Sequence, residues 1–233
     1  VNWIIAKGKR PLVVGGTGLY INALTYPLTF SQIAPDDELR AELMEKEQAE
    51  KGALHKMLAE LDAKTAERLH PNDTKRIVRA LEICIKSGKK ASEQGEGFNY
   101  RNDDALEFTP VMAGITMLRD MLYARIEKRV DDMFNAGLVD EVRDLLSRGC
   151  TRDLPAMQGL GYKETIEYIM GECTLDEAKE TIKRETRRFA KRQLTWFRRE
   201  ERIRWFDATE YGCAEELGKA IAEHFLTQEE QNG

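Results

Sequence analysis

No stretch of this chain approaches the roughly 18 to 20 consecutive apolar residues that a membrane-spanning helix needs. Nor does a charged-then-apolar leader with a small-residue cleavage site stand at its start, so a membrane or secreted setting gains no support and a cytoplasmic one is expected. Cysteine is scarce: Cys84, Cys150, Cys173 and Cys213 lie far apart and never form a CxxC pair. The three histidines, His55, His70 and His224, are equally isolated. No zinc-ligand spacing exists, and the thiols are expected to be structural. What the chain has is a core's worth of apolar residues and many charges, 42% and 33% of its 233 residues. That composition suits a soluble protein of one or two domains and argues against disorder.

The charge is unevenly placed. The formal net charge is -5, yet Ile182 to Arg204 holds ten Lys or Arg residues. At helical spacing Arg184, Arg188, Arg192, Thr195 and Arg199 form one stripe, and Ile182, Phe189, Ala190, Trp196 and Phe197 line roughly the opposite side. Such a helix can pack by one face and meet phosphates with the other. A solvated helix whose Arg stems cover apolar surface would show the same pattern.

Val1 to Arg10 reads as the last turns of a helix with Gly8 as C-cap. Pro11 to Gly15 is a short, continuously apolar run that predicts a buried parallel strand, giving an α/β order of helix, strand, glycine turn and helix. From Pro35 to Arg79 the pattern is helical, with Asp36 or Asp37 and later Asn72 or Asp73 as N-caps. The segment 87–108 is rich in Gly, Asn, Ser and charge and predicts a loop. Val111 to Met117 predicts a second core strand and Leu118 to Asn135 an amphipathic helix ending near Gly137. Helices over Val139 to Leu146, Pro155 to Met170 and Leu175 to Glu201 follow. A last strand over Arg202 to Asp207 and a helix over Ala214 to Leu226 close the chain.

Several clusters invite chemistry. Gly15-Gly16-Thr17-Gly18 lies where strand gives way to helix, where backbone amides can approach an anion and the Thr17 hydroxyl can enter the same crevice. It is neither GxGxxG nor GxxxxGK[ST], so by itself it is no nucleotide loop. Arg119 and Arg125 follow a strand at its carboxyl end, where ligands gather in open α/β sheets. Their guanidinium forks suit a departing diphosphate, and salt bridges with Asp120, Glu127 or Asp131 are the structural alternative. In His70-Pro71-Asn72-Asp73-Thr74-Lys75-Arg76-Ile77-Val78-Arg79, a capped helix start brings Lys75, Arg76 and Arg79 toward one phosphate track. Gln158-Gly159-Leu160-Gly161-Tyr162-Lys163 joins two glycines, a cation and an aromatic that can stack on a base or pack in the core.

Five segments in order closely resemble the bacterial tRNA dimethylallyltransferase, or tRNA isopentenyltransferase, family. They are PLVVGGTGLYINAL (Pro11 to Leu24), LHPNDTKRIVRALEI (Leu69 to Ile83), AGLVDEV (Ala136 to Val142), QGLGYKE (Gln158 to Glu164) and TRRFAKRQLTWFRR (Thr186 to Arg199). The resemblance implies an α/β fold with a P-loop-kinase-like, nucleotide-binding parallel sheet and a helix-rich C-terminal half. It implies a core of residues 1–34 and 109–233, a tRNA-gripping helical insertion over 35–87 and a loop over 88–108. The implied reaction moves a dimethylallyl group from dimethylallyl diphosphate to N6 of the adenosine beside the tRNA anticodon, position 37, with Mg²⁺ and release of diphosphate.

Carried over position by position, the resemblance places Thr17 close to the reacting adenine as the catalytic residue, with Arg119 and Arg125 on the diphosphate. It assigns tRNA contacts to Arg40, Lys75, Arg76, Arg79, Gln158, Gly159, Gly161, Tyr162, Lys163, Lys191, Arg192, Gln193, Trp196 and Arg198, to which the basic stripe adds Arg184 and Arg188. The expected partners are the tRNA anticodon stem-loop and the prenyl diphosphate, with no membrane, and the expected state is a monomer. Family members open with a strand, a GPTxxGKT-like phosphate loop that would supply most Mg²⁺ ligands, and an aspartate regarded as the general base. This chain carries neither segment, so the reading from sequence is a fragment with impaired catalysis. The alternatives are a catalytically inactive tRNA-binding module, or an adenylate prenyltransferase or nucleotide kinase relative that would have less need of the basic helix.

Overall fold

Short acidic and hydroxyl side chains set the helix starts in this chain, because each satisfies a backbone N–H that the first turn leaves unpaired. The computed structural model describes residues 1–26, 33–93 and 108–232. It begins with α1 (Asn2–Ile5), which unwinds through Gly8 at φ +67°, with the Gly8 and Lys9 amides bonded back to Ile5 and Ile4. α2 (Gly18–Thr25) follows the glycine turn. Asp36 caps α3 (Asp37–Ala49) by accepting from the Leu39 amide. After α4 (Ala53–Leu61), Asp62 caps α5 (Ala63–Arg68), a helix that periodicity alone had left undivided. Asp73 caps α6 (Thr74–Ser87), which stops at Gly88 in the left-handed region.

Two compact units result, one of Leu19–Phe108 and one of Val1–Gly18 with Thr109–Gly233. The helical unit has its own core, in which Leu43, Leu54, Leu58, Ile77 and Leu81 are almost fully buried. Each such side chain contributes on the order of 1.5–3 kcal/mol. Residues 94–107, most of the expected loop, lie outside the described residues, while Ala91–Glu93 forms a 3-10 turn.

The second unit is α/β. β1 (Met112–Thr116) leads into α7 (Arg119–Asn135), and Gly137 at φ +102° separates it from α8 (Leu138–Ser147). α9 (Tyr162–Ile169) is followed by α10 (Leu175–Phe197), whose Thr174 cap and Glu177 close a reciprocal capping box. Then come β2 (Ile203–Asp207) and α11 (Ala214–Asn232). β1 and β2 pair in parallel, Met112 opposite Ile203 and Thr116 opposite Asp207. Leu138, Val142, Met157 and Ile166 form a second core cluster between α8 and α9.

Three expectations are corrected. Pro11 to Gly15 forms no strand: it joins neither β1 nor β2, and Leu12, Val13 and Val14 are exposed. An apolar run states a need for burial, but a strand exists only when another strand offers it a ladder of hydrogen bonds. The helix expected from Pro155 starts at Tyr162, because 151–161 is a chain of turns ending at Gly161, φ +100°. The Glu164 carboxylate accepts that glycine's amide at 2.9 Å and fixes the start. α10 ends at Phe197 rather than Glu201, and Glu200, buried beyond its end, accepts both the Arg202 amide and its guanidinium.

Candidate functional site

The long helix α10 sorts its cations by what stands beside them. Near its start, Lys183 reaches Asp131 of α7 at 3.0 Å and Arg187 reaches Glu127 at 2.6 Å, so these two fasten one helix to the next. Arg184 and Arg188 share Glu185, at 3.3 and 2.7 Å. Further on, Lys191, Arg192, Arg198 and Arg199 are exposed and make no ion pair among the described residues. The four uncompensated charges occupy the last two turns of α10 and the residues just after it, close to the glycine turn.

That proximity is set by two contacts. Gln193 Nε2 donates to the Gly16 carbonyl at 2.8 Å. The indole of Trp196 lies where a Cβ on Gly18 would be, with ring atoms 2.2–2.8 Å from that point, and Gln193 Nε2 is 2.1 Å from the equivalent point at Gly16. Gly18 therefore requires glycine for close approach to the indole, while at Gly16 only the mobile end of the Gln193 side chain would have to give way. Thr17 between them is exposed. Arg188, Lys191, Arg192, Thr195, Trp196 and Arg199 line a shallow, mostly cationic hollow of about 410 Å³ along the same helix. An exposed hydroxyl beside an uncompensated cationic track is a setting for a polyanion presenting a reactive group.

Arg119 and Arg125 are exposed in the first two turns of α7, past the carboxyl end of β1. Two of the three acids offered as their structural partners are used elsewhere: Glu127 holds Arg187 and Asp131 holds Lys183. Six residues apart on a helix, the two arginines are about 120° apart around it. Among the described residues no three His, Cys, Asp or Glu side chains come together to hold a metal.

The segment from Gln158 to Lys163 divides. Gln158, Gly159 and Lys163 are exposed, and the Gln158 side-chain amide donates to the Arg152 carbonyl. Gly161 is buried, and Tyr162 packs against the Leu138–Ile166 cluster with its hydroxyl donating to Glu141, a hydrogen bond that raises the phenol above its ordinary range. Of the two readings of Tyr162, packing is the one this geometry realises.

In the helical unit, Lys75, Arg76 and Arg79 do not share one track. Lys75 is exposed, and Arg76 stands 3.5 Å from Asp73. Arg79 turns inward to the buried Glu82 and donates to the Ile33 carbonyl at 2.9 Å. Arg40 meets the same carboxylate with two bonds, 2.9 and 3.1 Å. The Asp36 amide adds a fourth donor, at 2.7 Å. Burial pushes the Glu82 carboxyl up, but these donors outweigh it and hold it below the ordinary range. Arg40 and Arg79 are thus engaged by a carboxylate that the sequence reading had not singled out. An acid three residues after Arg79 in a helix otherwise apolar at that level was the available signal.

Phe189 also differs from expectation. It shares the angular position of Ile182, yet Ile182 is 2% exposed and Phe189 49%. The buried residues of α10 are Ala178 and Ile182; past them α7 still lies alongside, holding Arg187 through Glu127, but leaves Phe189 uncovered. Helical phase was correct and the extent of the neighbours decided the outcome.

The IPP transferase family model matches residues 1–200. The tRNA dimethylallyltransferase of Clostridioides difficile (strain 630) is 46% identical over 223 residues, covering 95% of this chain and 70% of that protein. The tRNA dimethylallyltransferase of Acetivibrio thermocellus is 46% identical over 229 residues, covering 97% and 72%. Among solved structures, the full-length tRNA isopentenylpyrophosphate transferase from Bacillus halodurans superposes with a TM-score of 0.62 at 39% identity, over 99% of this chain and 72% of the other.

Proposed function

Because this chain belongs to the IPP transferase family, we propose that it transfers a dimethylallyl group from dimethylallyl diphosphate to N6 of the adenosine next to the anticodon of tRNA, releasing diphosphate. The observation that carries this reading is the glycine turn seated on the cationic end of α10 through Gln193 and Trp196. An adenine amine is out of reach inside a stacked loop, so the nucleotide must be turned out to react. We assign Thr17, exposed on that turn, to the extruded base, and Lys191, Arg192, Arg198 and Arg199 to the RNA beside it. Arg119 and Arg125 are assigned to the diphosphate, whose charge grows as the carbon–oxygen bond breaks and whose departure guanidinium donors assist. Mg²⁺, which the family resemblance implies, has no ligand set among the described residues, and none of these roles depends on it. No described helix is long and apolar enough to cross a membrane.

The test is incubation of the chain with unmodified tRNA of adenine-rich anticodon loop and dimethylallyl diphosphate, read by nucleoside mass spectrometry. A dimethylallyl adenosine that appears only with both substrates is the expected product. Thr17→Ala should lower kcat at least ten-fold with little change in tRNA affinity; a pure loss of affinity would remove Thr17 from the chemistry. A tRNA-binding module without transfer is the second reading, favoured by the Thr17 hydroxyl having no hydrogen-bonded Asp, Glu or His among the described residues. Tight, salt-sensitive binding with no product would establish it.

A further inference from the structure

A single exposed phenylalanine is ordinary on a protein surface. Phe189 is less ordinary, because it borders a hollow of about 350 Å³ between the start of α9 and the middle of α10, inside one compact unit. Leu160 and Phe189 supply its apolar wall, Lys163 and Arg192 its cations, and Glu164, Glu167 and Glu185 its carboxylates. The Arg192 guanidinium lies 6.0 Å from the centroid of the Phe189 ring.

The signs are mixed, which sets this hollow apart from its cationic neighbour. A phosphate would meet three carboxylates here. A flat, neutral ring with donors and acceptors on its edge would meet an aromatic face, a guanidinium and polar groups of both kinds, Gln158 among them. Such a ring buries apolar faces without carrying charge into the site, and the volume admits one with room at its edge. Phe189 lies seven residues before Trp196, about 10 Å along the helix, a span that a short RNA loop covers within a few nucleotides. We infer that this hollow takes one unstacked nucleobase of the bound RNA loop, a base other than the reacting adenosine, stacked on Phe189 and Arg192. The inference rests on the tRNA reading above and adds a base-holding subsite to it.

The test uses the whole chain and an unmodified anticodon stem-loop hairpin, with affinity measured at several salt concentrations for the native protein, Phe189→Ala and Phe189→Trp. A second hairpin series replaces each loop base in turn by an abasic site. One stacked base is worth about 1–3 kcal/mol, so Phe189→Ala should weaken binding roughly ten-fold or more, and Phe189→Trp should restore it. The salt slope should stay the same, since no phosphate contact is lost. One abasic position should weaken the native protein by a similar factor and cost Phe189→Ala nothing more. The thermal midpoint should not move, because the side chain is half exposed.

If the native chain binds the hairpin and Phe189→Ala binds equally well, the subsite is refuted and the tRNA reading stands. If Phe189→Ala binds worse but every abasic substitution adds its full penalty, Phe189 is not holding a base and the inference again fails. If the native chain does not bind the hairpin, both readings fall together.

Discussion

The arginines of the helical unit and those at the end of α10 are the same side chain in opposite circumstances. Arg40 and Arg79 converge on Glu82, which is 0% exposed, whereas Arg192, Arg198 and Arg199 are exposed and make no ion pair among the described residues. In the first region a buried carboxylate would be costly without partners, so the guanidiniums are committed to the fold. In the second no ion pair among the described residues commits them, and they remain available to an external anion. Basic residues therefore indicate a nucleic-acid surface only after the acids around them have been accounted for.

The comparison breaks most visibly at Glu82. Glu82→Ala leaves two guanidiniums without their acceptor and should cost about 3 kcal/mol in urea unfolding, the low end for a broken buried pair because both arginines are one-third exposed. A loss below about 1 kcal/mol would mean that Arg40 and Arg79 are as free as the cations of α10.

Acid tests the helical unit in a second way. Asp62 is 1% exposed; burial raises its carboxyl, but donors from Thr65 and Ser92 outweigh this and bring it down to about 2. The strongest of them are the Thr65 hydroxyl at 2.6 Å and the Ser92 amide at 2.7 Å. The folded value lies below the unfolded one, so the contribution is fully present above about pH 4 and is lost as pH falls through about 2. It amounts to about 2 kcal/mol. Unfolding free energies measured down that range should lose this amount in the native chain, and Asp62→Asn should flatten the slope.

Gly18→Ala drives a Cβ into the Trp196 indole and should destabilise the second unit by about 1–3 kcal/mol, as overpacking does. Adding Trp196→Leu to it should recover part of the loss in thermal unfolding. Full additivity of the two changes would show that the turn does not rest on that ring.

The smallest effect on stability is expected where the effect on RNA is largest. Lys191, Arg192 and Arg199 changed together to Gln should move unfolding by no more than about 0.5 kcal/mol. The same change should lower the slope of log affinity against log salt by about 2 to 3. Arg184 and Arg188, already paired with Glu185, should matter less to that slope when changed together. Equal effects from the two sets would erase the distinction drawn here.

Periodicity and capping carried much of the fold from the chain itself. Asp36 and Asp73 start their helices, Gly137 divides two more, and the strands at 112–116 and 203–207 fall within the apolar and alternating runs that announced them. These are local properties, fixed by which backbone groups a residue can satisfy and which dihedrals it tolerates. Five ordered motifs carried the family in the same way, since a motif needs no neighbour to be legible. Three outcomes needed the folded chain: Pro11 to Gly15 found no ladder, Phe189 lost its cover while Ile182 kept it, and Glu82 claimed two of the arginines. Arg79 needed only an acid three residues on, but Arg40 meets the same carboxylate from 42 residues away, and a burial, a strand pairing or a long-range charge compensation exists only when the distant partner arrives.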